Sequence, residues 1–168
     1  MICCVTGHRP GGFPFPPEDR ESCMEYKRRL YETVESLLDE GYRHFITGMA
    51  EGVDTDFAIA ILFYKKNYEN VKLEAALPYP AQLRNFPPQT VKDRILASCD
   101  LVTVVSDTYH EGCMQKRNCY MVDKADLVLA VWNGNRKGGT WNTVNYARRI
   151  KKPIRYIMMR EVEQMRLF

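Results

Sequence analysis

The sequence predicts an α/β domain built on a doubly wound, mostly parallel sheet of about six strands with helices on both faces. Three observations predict it. Short apolar runs recur along the chain, helical stretches separate them, and several runs end in glycine-rich, polar loops. A length of 168 residues, with no linker, repeat or low-complexity tract, fits one domain spanning residues 1–168.

The elements follow in order. "ICCVT" (2–6) reads as the first strand and "RHFIT" (43–47) as the second. Between them Leu30, Val34, Leu37 and Leu38 repeat at helical spacing, and Gly41 supplies the stop. Ala58, Ile61 and Leu62 mark a second helix. "VKLEAAL" (71–77) is the third strand, "LVTVVS" (101–106) the fourth, "LVLAVW" (127–132) the fifth and "IRYIMM" (154–159) the sixth. The tail "REVEQMRLF" reads as a short terminal helix. Strands one, four and five are apolar on nearly every residue, as expected of strands covered on both faces. Strand three alternates, with Lys72 and Glu74 between apolar residues, and strand six carries Arg155. That places three and six at the edges and predicts the order 3-2-1-4-5-6, with the topological switch between strands one and four.

Four strand ends collect glycine and polar residues: "TGHRPGG", "TGMAEGVDTD", "SDTYHEGCMQKRN" and "NGNRKGGTWNT". In a parallel sheet all four open on one edge. A glycine turn followed by a helix start offers free N–H groups and a positive dipole end, which suit phosphate. One such loop is usually a plain capped turn; four together favour a ligand site. The expected ligand-binding set is Thr6, Gly7, His8, Arg9, Gly48, Gly52, Asp54, Arg117, Asn118, Gly138, Gly139 and Thr140. Thr47 could add a hydroxyl. Asp54 suits a ribose hydroxyl or general-base role, and Arg117 a bidentate phosphate clamp. Tyr109 and Trp141 offer stacking faces, and Gln82 is a weaker candidate.

Other classes find little support. Neither GxGxxG nor GxxxxGK[ST] occurs, so the usual dinucleotide and P-loop fingerprints are missing. The six cysteines form no CxxC pair, and no metal site is expected; His110 near Cys113 lacks further ligands. A net charge of +3 does not demand a nucleic acid. No apolar run suffices to cross a bilayer, and "MICCVTGHRP" lacks the marks of a signal peptide, so a cytoplasmic location and no membrane partner are expected.

"ITGMAEGVDTDFAIAIL" resembles the SG-x-A-x-G-[IV]-D stretch of DNA-processing (DprA/Smf) proteins. "MQKRN", "KADLVLAVWNG" and "GGT" resemble the second half of the Lonely Guy (LOG) proteins. In order and spacing, from about residue 2 to 158, the chain is similar to the SLOG superfamily, closest to its YpsA-like single-domain group. The resemblance implies a Rossmann-like fold that binds a nucleotide or derivative, such as ADP-ribose or a nucleoside phosphate, as sensor or regulator. It leaves two alternatives, a LOG-type phosphoribohydrolase and a DprA-type single-stranded DNA module. It matches Arg117 to the LOG catalytic arginine and implies Gly48, Gly52 and Asp54 as site residues. The LOG glutamate after the GT turn is unmatched: Asn142, Thr143 and Val144 stand there. If the chain is an enzyme, Asp54 and Arg117 are the expected catalytic pair. No cofactor beyond a nucleotide-type ligand is implied, and a homo-oligomer is compatible with this reading.

Overall fold

A computed structural model describes residues 1–83 and 90–160; the terminal helix expected over 160–168 falls almost wholly outside them. Six parallel strands form one sheet: β1 (Ile2–Gly7), β2 (His44–Thr47), β3 (Lys72–Leu77), β4 (Leu101–Val104), β5 (Leu127–Trp132) and β6 (Ile154–Met158). Helices α1 (Arg20–Asp39), α2 (Val53–Tyr64), α3 (Val91–Ala97), α4 (Cys113–Lys124) and α5 (Gly138–Arg149) connect them. This is the α/β, Rossmann-like architecture expected.

Period-two alternation sorts the strand residues between two layers. Cys3 and Val5 of β1, with Leu127, Leu129 and Val131 of β5, face a core that holds α1 and α2 residues. Cys4, Ile46 and Val128 face the opposite layer, with Met121, Val122 and Ala147 of α4 and α5. Helix α1 buries the expected stripe of Leu30, Val34, Leu37 and Leu38 completely. Asp19 caps it by accepting the Ser22 N–H at 3.0 Å.

The strand order is β4-β3-β2-β1-β5-β6. Strand six is an edge, as expected. Strand four is not central: it lies at the far edge beyond β3, and the switch point falls between β1 and β5. Composition misleads here, because β4 is apolar yet leaves Leu101, Val102 and Val104 exposed. Its position is set by the residue before it. The Asp100 carboxylate accepts the Leu73 N–H at 2.8 Å and pairs with Lys65 at 2.6 Å, and the Asp100 N–H donates to Leu73 O. These bonds clasp the start of β4 to β3.

Strand three is correspondingly internal, and its Glu74 is fully buried rather than solvent-facing. Four donors surround the carboxylate: His44 Nε2 at 2.6 Å, Tyr120 Oη at 2.6 Å, Thr103 Oγ1 at 2.8 Å and Lys124 Nζ at 2.9 Å. Burial alone would push this carboxyl up; the four donors outweigh it and pull it from 4.5 down to about 2. A carboxylate depressed in the folded state stabilises the fold above its unfolded value and loses that contribution as pH falls through its folded value. Denaturant titrations are expected to show stability falling between pH 4.5 and about 2. Glu74→Gln should remove most of that slope and cost on the order of 3 kcal/mol at neutral pH.

Candidate functional site

The loops after β1, β2 and β5 and the first turns of α4 and α5 converge beside the switch point, where open α/β sheets leave a crevice at the carboxyl ends of their strands. They enclose a cavity of about 260 Å³. Its lining includes Thr6, Gly7, His8 and Arg9 from the first loop, and Ala50 and Asp54 from the second. Arg117 and Asn118 come from α4, and Gly139 and Thr140 from α5. Most of the expected binding residues therefore meet at one place. Gly48, Gly52 and Gly138 stand next to the lining rather than in it.

The glycines divide into two kinds. A Cβ on Gly7 would run into the Val53 side chain, and one on Gly48 into the Arg117 guanidinium and Asp54 Oδ2. Gly52 has φ +96°, and a Cβ there would stand 2.6 Å from His8 O. These three let protein pack on protein. Gly138 (φ +83°) and Gly139 differ, since a Cβ on either meets nothing within 4 Å. They open α5, whose N-cap Lys137 provides no side-chain cap. No side chain therefore caps the first amides of α5, where the dipole end is positive and Gly139 and Thr140 reach the lining. Thr140, buried at 6% exposure, and Thr143 line the wall one turn apart.

Arg117 is 7% exposed. Its Nη1 donates to Gly48 O and, at 3.2 Å, to Ala76 O, while Nε donates to Asn118 Oδ1 at 2.8 Å. Half of the guanidinium therefore braces the ends of β2 and β3. Asp54 Oδ2 accepts the Ala50 N–H at 3.2 Å, and its backbone carbonyl accepts the Thr47 hydroxyl at 2.9 Å. Thr47 is thus spent on the loop and lies outside the lining. Burial pushes the Asp54 carboxyl up against the pull of Arg117, the Ala50 amide and Arg9. Burial likewise lowers Arg117, and the charge of Asp54 opposes the shift.

His8 is a clasp. Its Nε2 accepts the Asn133 N–H at 3.2 Å, and Asn133 Nδ2 donates to Gly12 O at 2.9 Å. Burial lowers the His8 pKa, which suits the neutral ring that such an acceptor needs. Arg9 is exposed at the rim. With Arg9 and Arg117 against Asp54, the only carboxylate in the lining among the described residues, the cavity carries a net positive charge.

The stacking candidates lie elsewhere. Trp141 stacks on Trp132, with centroids 5.6 Å apart, beneath the guanidiniums of Arg136 and Arg148. Tyr109 meets Tyr79 edge-on. Gln82 donates to the Tyr79 hydroxyl and lines a different cavity. Sequence reasoning missed Thr143, whose spacing from Thr140 was the available signal, and left out Met114, whose signal was its place at the start of "MQKRN". It also missed Asn133, a partner 125 residues from His8. Among the described residues no group of three or more His, Cys, Asp or Glu side chains could hold a metal ion, and no helix is long and apolar enough to cross a membrane.

The two kinds of glycine have opposite expected responses in thermal melts. Gly48→Ala should destabilise the fold by roughly 2–4 kcal/mol through overpacking against Arg117 and Asp54. Gly139→Ala should leave stability unchanged or raise it by up to about 1 kcal/mol, because it adds a better helix former in open space.

Residues 3–162 match the family model described as the YspA SLOG family, YpsA. The chain is 28% identical over 141 residues to the "Uncharacterized SPbeta prophage-derived protein YoqJ" of Bacillus subtilis (strain 168), covering 75% of this chain and 82% of that protein. It is 21% identical to the UPF0398 protein YpsA of the same organism, over 82% of this chain and 78% of the relative. A UPF0398 protein of Ligilactobacillus salivarius (strain UCC118) is 25% identical, over 83% and 79% respectively.

Proposed function

The chain belongs to the YpsA family of SLOG proteins, and from that premise we propose that it binds a nucleotide or nucleotide derivative, as a sensor or regulator, through the phosphate end. The observation that carries this reading is the uncapped start of α5. Gly138 and Gly139 have open space where side chains would stand, beside Thr140 and a cavity of net positive charge. A phosphate there gains backbone donors, the helix dipole and Arg9, while the remaining donors of Arg117 complete the shell. At about 260 Å³ the cavity suits the phosphate and ribose of such a ligand, with the base toward the open side.

Binding is favoured over hydrolysis by the carboxylate inventory. Cleavage of an N-glycosidic bond needs an acid or base close to the ribose. Asp54 is the single carboxylate of the lining, and its Oδ2 is already engaged by the Ala50 amide.

Calorimetry with ADP-ribose, AMP and an oligothymidine tests the proposal. ADP-ribose or AMP should bind with weak salt dependence, and Gly139→Val should abolish binding while the fold survives, since its side chain enters the ligand's space. Binding of the oligothymidine alone, with an affinity that falls linearly and steeply in log salt, would falsify the reading in favour of a DNA module.

The wild type should also release no free base or ribose phosphate from either nucleotide. Should turnover be seen, Asp54→Asn is expected to eliminate it with little change in affinity, the signature of a group used in the transition state. Turnover that persists in Asp54→Asn would rule out Asp54 as the catalytic group.

A further inference from the structure

A second cavity of about 760 Å³ lies on the other side of the first loop. That size falls within the ~300–1,000 Å³ typical of small-molecule sites. The wall between the two cavities is protein packed on protein. The Val53 N–H donates to His8 O at 3.2 Å, and Gly52 comes so close to His8 and Pro10 that only a glycine fits. His8, Arg9 and Ala50 face the first cavity; Pro10, Glu51 and Gly52 face the second.

Aromatic and aliphatic side chains make the second cavity's walls: Phe13, Phe15, Tyr26 and Ile59. The rings are fixed against one another, Phe13 edge-on to Phe15 at 5.7 Å and to Tyr26 at 5.4 Å. Tyr26 is 4% exposed and donates its hydroxyl to Asp56 Oδ2 at 3.1 Å. Among the described residues, Asp56 Oδ1 makes one loose ion pair, with Lys27 Nζ at 3.7 Å. The carboxylate therefore keeps acceptor capacity at the edge of an apolar slot. Burial pushes the Asp56 carboxyl up, so an added donor would offset part of its desolvation. Among the described residues, the lining holds two carboxylates, Glu51 and Asp56, and two ammonium groups, Lys27, which pairs with Asp56, and Lys92, which is also engaged. That balance favours a ligand without net charge.

We propose that this cavity is a second ligand site, separate from the phosphate cradle, that takes a neutral, flat, amino-substituted heteroaromatic ring against Phe13 and Ile59, beside the Tyr26–Asp56 hydrogen bond, with the ring's amino group donating to Asp56. Rigid aromatic walls supply area at low entropic cost, and the carboxylate supplies orientation. The proposal does not rest on the nucleotide reading of the first cavity, whose test uses phosphate-bearing ligands.

Adenine and purine, which differ by one exocyclic amine, are the probes. The full chain is titrated with each at neutral pH and followed by amide chemical-shift mapping. Adenine should shift Tyr26, Thr55, Asp56 and Ile59 saturably and bind about tenfold or more tightly than purine, the value of one hydrogen bond to a charged acceptor. Ile59→Trp fills the slot from a position 37% exposed, so the fold should tolerate it. Both it and Asp56→Asn should weaken adenine about tenfold or more, while Gly139→Val should leave adenine binding unchanged. Four results would each overturn the proposal: equal affinity for the two probes, shifts confined to the Thr6–Arg9 and Gly139–Thr143 segments, no saturable shift, or unchanged adenine affinity in folded Ile59→Trp. Circular dichroism of each variant establishes folding, and Ile59→Trp keeps the test decisive if Asp56→Asn does not fold.

Discussion

The guanidinium of Arg117 is the contact on which the site end of the molecule depends. The chain leaves the sheet at the far edge, after β4, and must return over β3 and β2 to reach β5 beside β1. Helix α4 makes that return, and Arg117 fastens it by donating to the carbonyls of Gly48 and Ala76 at the ends of β2 and β3. A buried charge needs such company. The two carbonyls, Asn118 and the field of Asp54 supply it. Gly48 has no side chain because the arginine occupies the space where one would stand. The same brace fixes the position of Asp54, whose carboxylate holds the turn at Ala50.

The sheet's edge shows where composition stops being informative. An apolar tetrapeptide reads as a covered strand, yet Leu101, Val102 and Val104 lie at an edge because Asp100 clasps Leu73 and Lys65. A lone Asp before a strand carries no message about which neighbour it will meet. Glu74 failed for the complementary reason. Its four partners come from β2, β4 and α4, up to 50 residues away, and only their convergence makes burying a carboxylate tolerable. Helix α1 was legible because its stripe and its Gly41 stop are local; its Asp19 cap is local too but was not read from the sequence.

The site was legible as a place and less so as a set of roles. Parallel strands bring their carboxyl ends to one edge, so any polar loop there becomes a neighbour of the others, and the loops of β1, β2 and β5 did meet. What a glycine is for cannot be read from one chain. Gly7, Gly48 and Gly52 admit protein atoms, whereas Gly138 and Gly139 face open space. His8, one of the expected ligand-binding set, lines the cavity while its Nε2 accepts the Asn133 amide. The geometry that distinguishes these cases is tertiary, and it also separates the positively charged cavity from the aromatic one through the packing of Gly52 and Val53 on the first loop.

The strand order has a consequence for how the molecule assembles. Strands one to four are joined to their sheet neighbours by local crossovers, so that half can pair as it emerges from synthesis. The other edge of β1 stays open until β5 arrives, and the bond from the Ile2 N–H to Asp126 spans 124 residues. Only then does α5 bring Gly139, Thr140 and Thr143 to the cavity. Any nascent or truncated chain that ends before β5 therefore holds four of the six strands and a cavity that lacks its α5 wall.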